Sequence, residues 1–179
     1  MKKIALVCLL TLLYAAPVFS DTSGKNYIAA DYGKAQFVPS TVYNDPGMIG
    51  IAGGHYFNSM FAVEVGYTQF DAVSTNVTGG SKTIVSYAFH VAGVVSYPVF
   101  DDFDLIANFG VTNNQTNAVT TGSPTNHVNK SSILYGVGSQ YHVSPKVNVR
   151  LLYEDYGDFN DTSPSQNLTA FSIGIIYLY

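Results

Sequence analysis

An all-β fold, an eight-stranded antiparallel up-and-down transmembrane β-barrel, is the architecture this sequence predicts, on three observations. Extended segments alternate bulky apolar residues with small or ionisable ones. Charged residues make up only 11% of the chain. Short turns alternate with long polar connections, the asymmetry of barrels that cross an outer membrane.

The alternation is clearest in Phe61 to Thr68, where Phe61, Val63, Val65 and Tyr67 share one face of an extended chain and Ala62, Glu64, Gly66 and Thr68 the other. It returns in Tyr87 to Tyr97 and in Phe171 to Tyr179. A water-soluble barrel would turn its large residues inward and present long charged side chains outside. Here the second face is rich in Gly, Ala and Ser, which suit a narrow lumen, so the bulky face is assigned to lipid.

Taken in order, strands are expected at Asn26 to Lys34, Met48 to Phe57, Met60 to Gln69, Ile84 to Tyr97, Asp104 to Thr112, Ser132 to Val143, Val147 to Tyr156 and Leu168 to Tyr179. Asn58-Ser59, Pro98 to Phe103 and Ser144 to Lys146 make the short turns, with Asn, Pro and Asp supplying the turn chemistry. Ala35 to Gly47, Phe70 to Thr83, Asn113 to Ser131 and Gly157 to Asn167 are expected as long solvated loops, rich in Thr, Asn, Ser and Gly.

Met1-Lys2-Lys3 followed by the apolar run Ile4 to Ala16 reads as a secretory signal peptide over 1–20, with residues 21–179 as one barrel domain. Cys8 would leave with it, and the barrel would carry no thiol chemistry. Loss of Lys2 and Lys3 takes the net charge from -4 to -6, which disfavours nucleic acid as a partner. The 14 tyrosines and 11 phenylalanines suit the aromatic girdles where headgroups meet water. A soluble lipocalin-like carrier ranks last, because the chain has no tryptophan and its cavity would be filled by the wrong face.

Four stretches carry a family likeness: Gly50-Ile-Ala-Gly-Gly-His-Tyr56, Phe61-Ala-Val-Glu-Val-Gly-Tyr67, Tyr97-Pro-Val-Phe-Asp-Asp-Phe-Asp104 and Val149-Arg-Leu-Leu-Tyr153. In this order and spacing the mature chain resembles the membrane domain of outer-membrane protein A and its small barrel relatives. In that family an inward glutamate on the third strand pairs with an inward arginine on the seventh and blocks the lumen. The resemblance assigns this lumen ion pair to Glu64 and Arg150, both inward by parity here. The family's second acid-base pair falls on Gln140 and Val94, which cannot form it, and Asp31 replaces a usual first-strand lysine. A different lumen network is therefore expected, drawn from Asp31, His90, Asn108, Gln140 and Glu154, with Asp31 and Glu154 able to compete for Arg150.

The expected role is structural and surface-presenting in the bacterial outer membrane, with both termini periplasmic and no catalytic residue, metal or cofactor. Outer-membrane lipid and lipopolysaccharide would surround it, and barrel-assembly machinery would read the aromatic carboxyl end, Phe171 to Tyr179. Loop residues such as Tyr43 to Asp45 and Asn113 to Asn117 would meet host surfaces or phage. A narrow gated channel is the alternative. A lipid A-modifying enzyme built on His142 and Ser144 is disfavoured, because His142 points inward beside a turn. Asp155, Asp158 and Asp161 do not fit a calcium-loop spacing, and Asp101, Asp102 and Asp104 read as turn formers.

Overall fold

A computed structural model describes residues 22–38, 45–77, 80–120, 126–159 and 167–179, with backbone alone at 75–77 and 120; the segment 1–20, expected as a signal peptide, lies outside the described residues. Eight strands follow one another: β1 (Asn26–Val38), β2 (Gly47–Tyr56), β3 (Phe61–Val77), β4 (Gly80–Phe100), β5 (Phe103–Thr120), β6 (Asn126–Ser144), β7 (Val147–Asp158) and β8 (Asn167–Leu178). Each pairs antiparallel with its chain neighbours, and β1 pairs with β8 from Tyr27↔Leu178 to Val38↔Asn167, closing the barrel. Closure leaves no edge along the band the strands share, so backbone N–H and C=O groups find partners without water.

Burial alternates as the sequence pattern requires. On β8, Phe171, Ile173, Ile175 and Tyr177 are exposed while Ala170, Ser172, Ile176 and Leu178 are buried. Outward aromatics face one another across ladders, Tyr67↔Phe89, Phe109↔Tyr135 and Tyr153↔Phe171 toward one end and Phe103↔Tyr141 toward the other. The short turns sit together at that second end: Asn58 Oδ1 accepts from the Met60 and Phe61 N–H groups at 2.8 Å each, and Ser144 Oγ accepts from Val147 N–H at 3.1 Å.

The strands are unequal, and this corrects the expected loops. β3 to β6 run 17, 21, 18 and 19 residues, against 13, 10, 12 and 12 for β1, β2, β7 and β8. Most of Phe70 to Thr83 and of Asn113 to Ser131 is therefore strand. The β2–β3 register stops at Met48↔Phe70 and the β6–β7 register at Tyr135↔Asp155, but β4–β5 pairing continues to Lys82↔Thr120 and β5–β6 to Ala118↔Asn126. A four-stranded sheet thus projects beyond the barrel at the end opposite the short turns. The polarity of these segments reports contact with water, not irregular backbone, because cross-strand hydrogen bonds between polar side chains, such as Ser74 to Thr83 at 2.9 Å, support the ladder as apolar pairs do elsewhere.

Candidate functional site

The lumen is a sandwich of polar and apolar layers. Along β3, the inward residues run Ala62, Glu64, Gly66, Thr68 and Phe70; along β1, Tyr27, Ala29, Asp31, Gly33, Ala35 and Phe37. Tyr27, Ala29, Tyr56, Ala62, Val94, Ile176 and Leu178 form one buried apolar cluster on the short-turn side of the charges. Ala35, Phe37, Met48, Phe70, Leu134, Tyr156, Phe159 and Leu168 belong to a second on the projecting side. Phe70 meets Tyr156 and Phe159 edge-on with ring centroids 5.5 and 5.6 Å apart. Side chains of the described residues fill the interior at these levels.

Between the layers lies Arg150. Its Nε and Nη2 donate to the two Asp31 carboxylate oxygens at 2.8 and 2.7 Å, and its Nη1 donates to Glu64 Oε2 at 2.7 Å. Arg150 and both acids are at most 8% exposed. The guanidinium fork suits this task, since its planar donors can serve two carboxylates at once. Tyr27 OH donates to the same Glu64 oxygen at 2.8 Å, and His90 Nε2 stands 3.7 Å from Glu64 Oε1. Asp31 and Glu64 thus share Arg150 instead of competing for it.

Glu154 is bonded elsewhere: its Oε1 accepts from Asn108 Nδ2 at 2.6 Å and its Oε2 from Tyr156 OH at 3.0 Å, correcting the expectation that it competes for Arg150. Gln140 is buried opposite Arg150 across the β6–β7 ladder. Small residues make this packing fit. A side chain at Gly174 would run into the Asp31 carboxylate, and one at Gly66 into the His90 ring.

Sequence reasoning missed a further polar layer beside the short turns. Asp104 is not a turn former but a buried strand residue, 7% exposed, because it shares parity with Ile106 and Asn108. Its Oδ2 lies 3.0 Å from His142 Nε2, and His142 Nδ1 lies 3.0 Å from Asn148 Oδ1. Both ring nitrogens of His142 are thereby engaged, and Ser144 Oγ is tied to backbone N–H groups of its own turn. Tyr27 and Tyr156 were likewise unremarked, although counting by twos from Asp31 and Arg150 would have put both in the lumen.

Asp155 and Asp158 belong to β7, not to the last loop, and both are bonded. Asp155 accepts from Tyr135 OH at 2.8 Å and from Gly157 N–H at 2.7 Å, and Asp158 pairs with Lys130 at 2.7 Å. Gly157 adopts φ of 69°, a left-handed turn that glycine takes without cost, where the β7–β8 register shifts between Asp155 and Asp158. Asp161, Tyr43 and Asn44 lie outside the described residues. Asn113 to Asn117 belong to β5, not to a loop.

The family model of the OmpA-like transmembrane domain matches residues 23–179. Outer membrane protein A of Escherichia fergusonii is 23% identical over 202 residues, a match covering 100% of this chain and 56% of that protein. The Shigella flexneri protein of the same name is 24% identical over 198 residues, again with 100% and 56% covered. The chain thus spans about half the length of the curated relatives it matches. Among solved structures, Ail, the attachment invasion locus protein of Yersinia pestis, in complex with the heparin analogue sucrose octasulfate, superposes with a TM-score of 0.65 at 15% identity, covering 88% of this chain and 99% of that one. Neisserial surface protein A gives 0.62 at 16% identity, with 86% and 95% covered. OprG of Pseudomonas aeruginosa gives 0.63 at 10%, with 90% and 99% covered. At these identities the likeness is one of fold.

Proposed function

This chain belongs to the OmpA-like transmembrane domain family, and from that premise we propose that it serves the bacterial outer membrane as a closed, surface-presenting barrel. The observation that carries the reading is the projection of β3 to β6 beyond the shared apolar band. Outer-membrane barrels carry short turns on the periplasmic side and longer segments outside. The projecting sheet then stands outside the cell, and both termini lie in the periplasm. The succession of polar and apolar layers inside the barrel favours a rigid pedestal over a conduit.

On this reading the lumen cluster holds strand register and the outer sheet meets what lies around the cell: lipopolysaccharide, host surfaces or phage. Barrel-assembly machinery would be the partner during insertion. The polyanion bound to the Yersinia barrel is a poor guide to this chain, whose formal net charge is -4 and whose Arg150 is buried.

The test is to replace 71–85, and separately 114–131, with short Gly/Ser turns and to score cell adhesion, serum survival and phage sensitivity. Loss of one of these with the barrel still folded is the expected result. A full set of unchanged phenotypes would leave only a mechanical role. Planar-bilayer recording supplies the second arm: the pedestal reading expects no steady conductance, and regular open-channel steps would favour a small-solute channel.

A further inference from the structure

The outward face of the projecting sheet changes chemistry abruptly. On β5 the outward residues run Leu105, Phe109 and Val111 and then Asn113, Gln115 and Asn117; on β6, Tyr135 and Ile133 give way to Ser131, Asn129 and His127. Within this face the side chains are tied to one another. Asn113 Nδ2 donates to Asn129 Oδ1 at 2.7 Å, Gln115 Nε2 donates to Asn113 Oδ1 at 3.1 Å, and His127 Nδ1 lies 2.7 Å from Asn117 Oδ1. Tyr87 stands at the boundary, its ring centroid 6.2 Å from that of Tyr67.

Three properties define what such a face fits. Among the described residues it holds no acid and no base other than His127, since Lys82 and Lys130 take the opposite parity on their strands, so it brings no lysine or arginine to a phosphate or a sulfate. Its amides are held in position by their mutual bonds, which lowers the entropy lost on binding. Among the described residues Gln115 Oε1, Asn129 Nδ2 and His127 Nε2 have no hydrogen-bond partner, which leaves donors and acceptors side by side as adjacent sugar hydroxyls require. Tyr87 adds an aromatic edge with a polar tip beside them.

We propose that this amide-rich flank of β4 to β6 is a saccharide-binding face for the uncharged sugars of a glycolipid in the surrounding leaflet. The source follows from continuity: the face begins where the lipid-facing wall of Phe89, Phe109, Val111 and Ile133 ends, so a glycolipid whose acyl chains lie on that wall brings its sugars to Asn113, Gln115 and Asn129. The inference rests on the proposed orientation, with the projecting sheet outside the cell.

The experiment uses the full chain refolded into nanodiscs containing either lipopolysaccharide with its complete core oligosaccharide or the same lipid trimmed to lipid A, read by hydrogen exchange of β5 and β6. Complete core is expected to slow exchange in 113–117 and 127–131 at least severalfold relative to lipid A. The triple substitution Asn113→Ala, Gln115→Ala, Asn129→Ala should abolish the difference while leaving the β7 and β8 amides as protected as before. Equal protection by lipid A would make phosphate or acyl contact the cause and overturn the proposal, as would protection that survives the triple substitution.

A separate arm isolates the orientation. Ser131→Cys should react with an impermeant maleimide on intact cells. Failure there removes the surface-presenting reading itself, whereas labelling without sugar-dependent protection removes only the saccharide face.

Discussion

Asp31, Glu64 and Arg150 in the lumen and Asn113, Gln115 and Asn129 on the outer flank are both groups of polar side chains cross-linked between strands, yet they answer to opposite solvents. In the lumen each charge is cut off from water and depends on its neighbours, so removal of one member strands the others. On the flank every amide that loses a neighbour gains water. Side-chain hydrogen bonds therefore hold the barrel together in one place and only orient a surface in the other.

The largest effect is expected from Arg150→Met, which leaves two buried carboxylates facing each other and should cost about 3–5 kcal/mol in urea unfolding from lipid vesicles. Combining it with Asp31→Asn and Glu64→Gln should recover much of that loss, because the penalty comes from orphaned charge more than from a missing attraction. A triple variant no better than the single one would show that the lumen needs the ion cluster itself.

Phe70→Ala should cost a similar ~3–5 kcal/mol by opening a void in the projecting-side apolar layer, where Tyr156 and Phe159 lean on its ring. It is also the variant expected to leak in planar bilayers. Gly174→Val comes next, at roughly 1–3 kcal/mol, since its side chain would displace the Asp31 carboxylate from Arg150.

Glu64→Gln is milder, about 1–2 kcal/mol, because the amide oxygen still accepts from Tyr27 and Arg150, and Arg150 keeps both Asp31 bonds. Conductance should stay at baseline, since the apolar layers on either side remain; new openings in this variant alone would mean that the cluster is the seal. Asn113→Ala on the flank should stay within ~0.5 kcal/mol of the parent by the same unfolding measurement. A loss comparable with that of Glu64→Gln would erase the contrast between the two regions.

The facing of nearly every lumen residue was legible, because strand geometry has a period of two and a single correct phase carries along the strand. Glu64, Arg150, Asp31, His90, Asn108, Gln140 and Glu154 are all inward for that reason. Parity applied without exception would have added Tyr27, Asp104 and Tyr156. The turn-like composition around Asp101 and Asp102 masks the strand parity of Asp104.

Partner choice was not legible. Whether Arg150 meets Asp31, Glu64 or Glu154 depends on the stagger that closure of β1 on β8 imposes across strands more than a hundred residues apart, and no local pattern encodes it. Strand length escaped too, because a polar segment reads the same whether its backbone bonds to water or to a neighbouring strand. Sequence by itself determined the class, the solvent of each face and the candidate charges, since those depend on the side chains alone. The tertiary structure decided which charges share a proton donor, where the apolar layers close the lumen and how far β3 to β6 project, since those depend on which strands lie side by side.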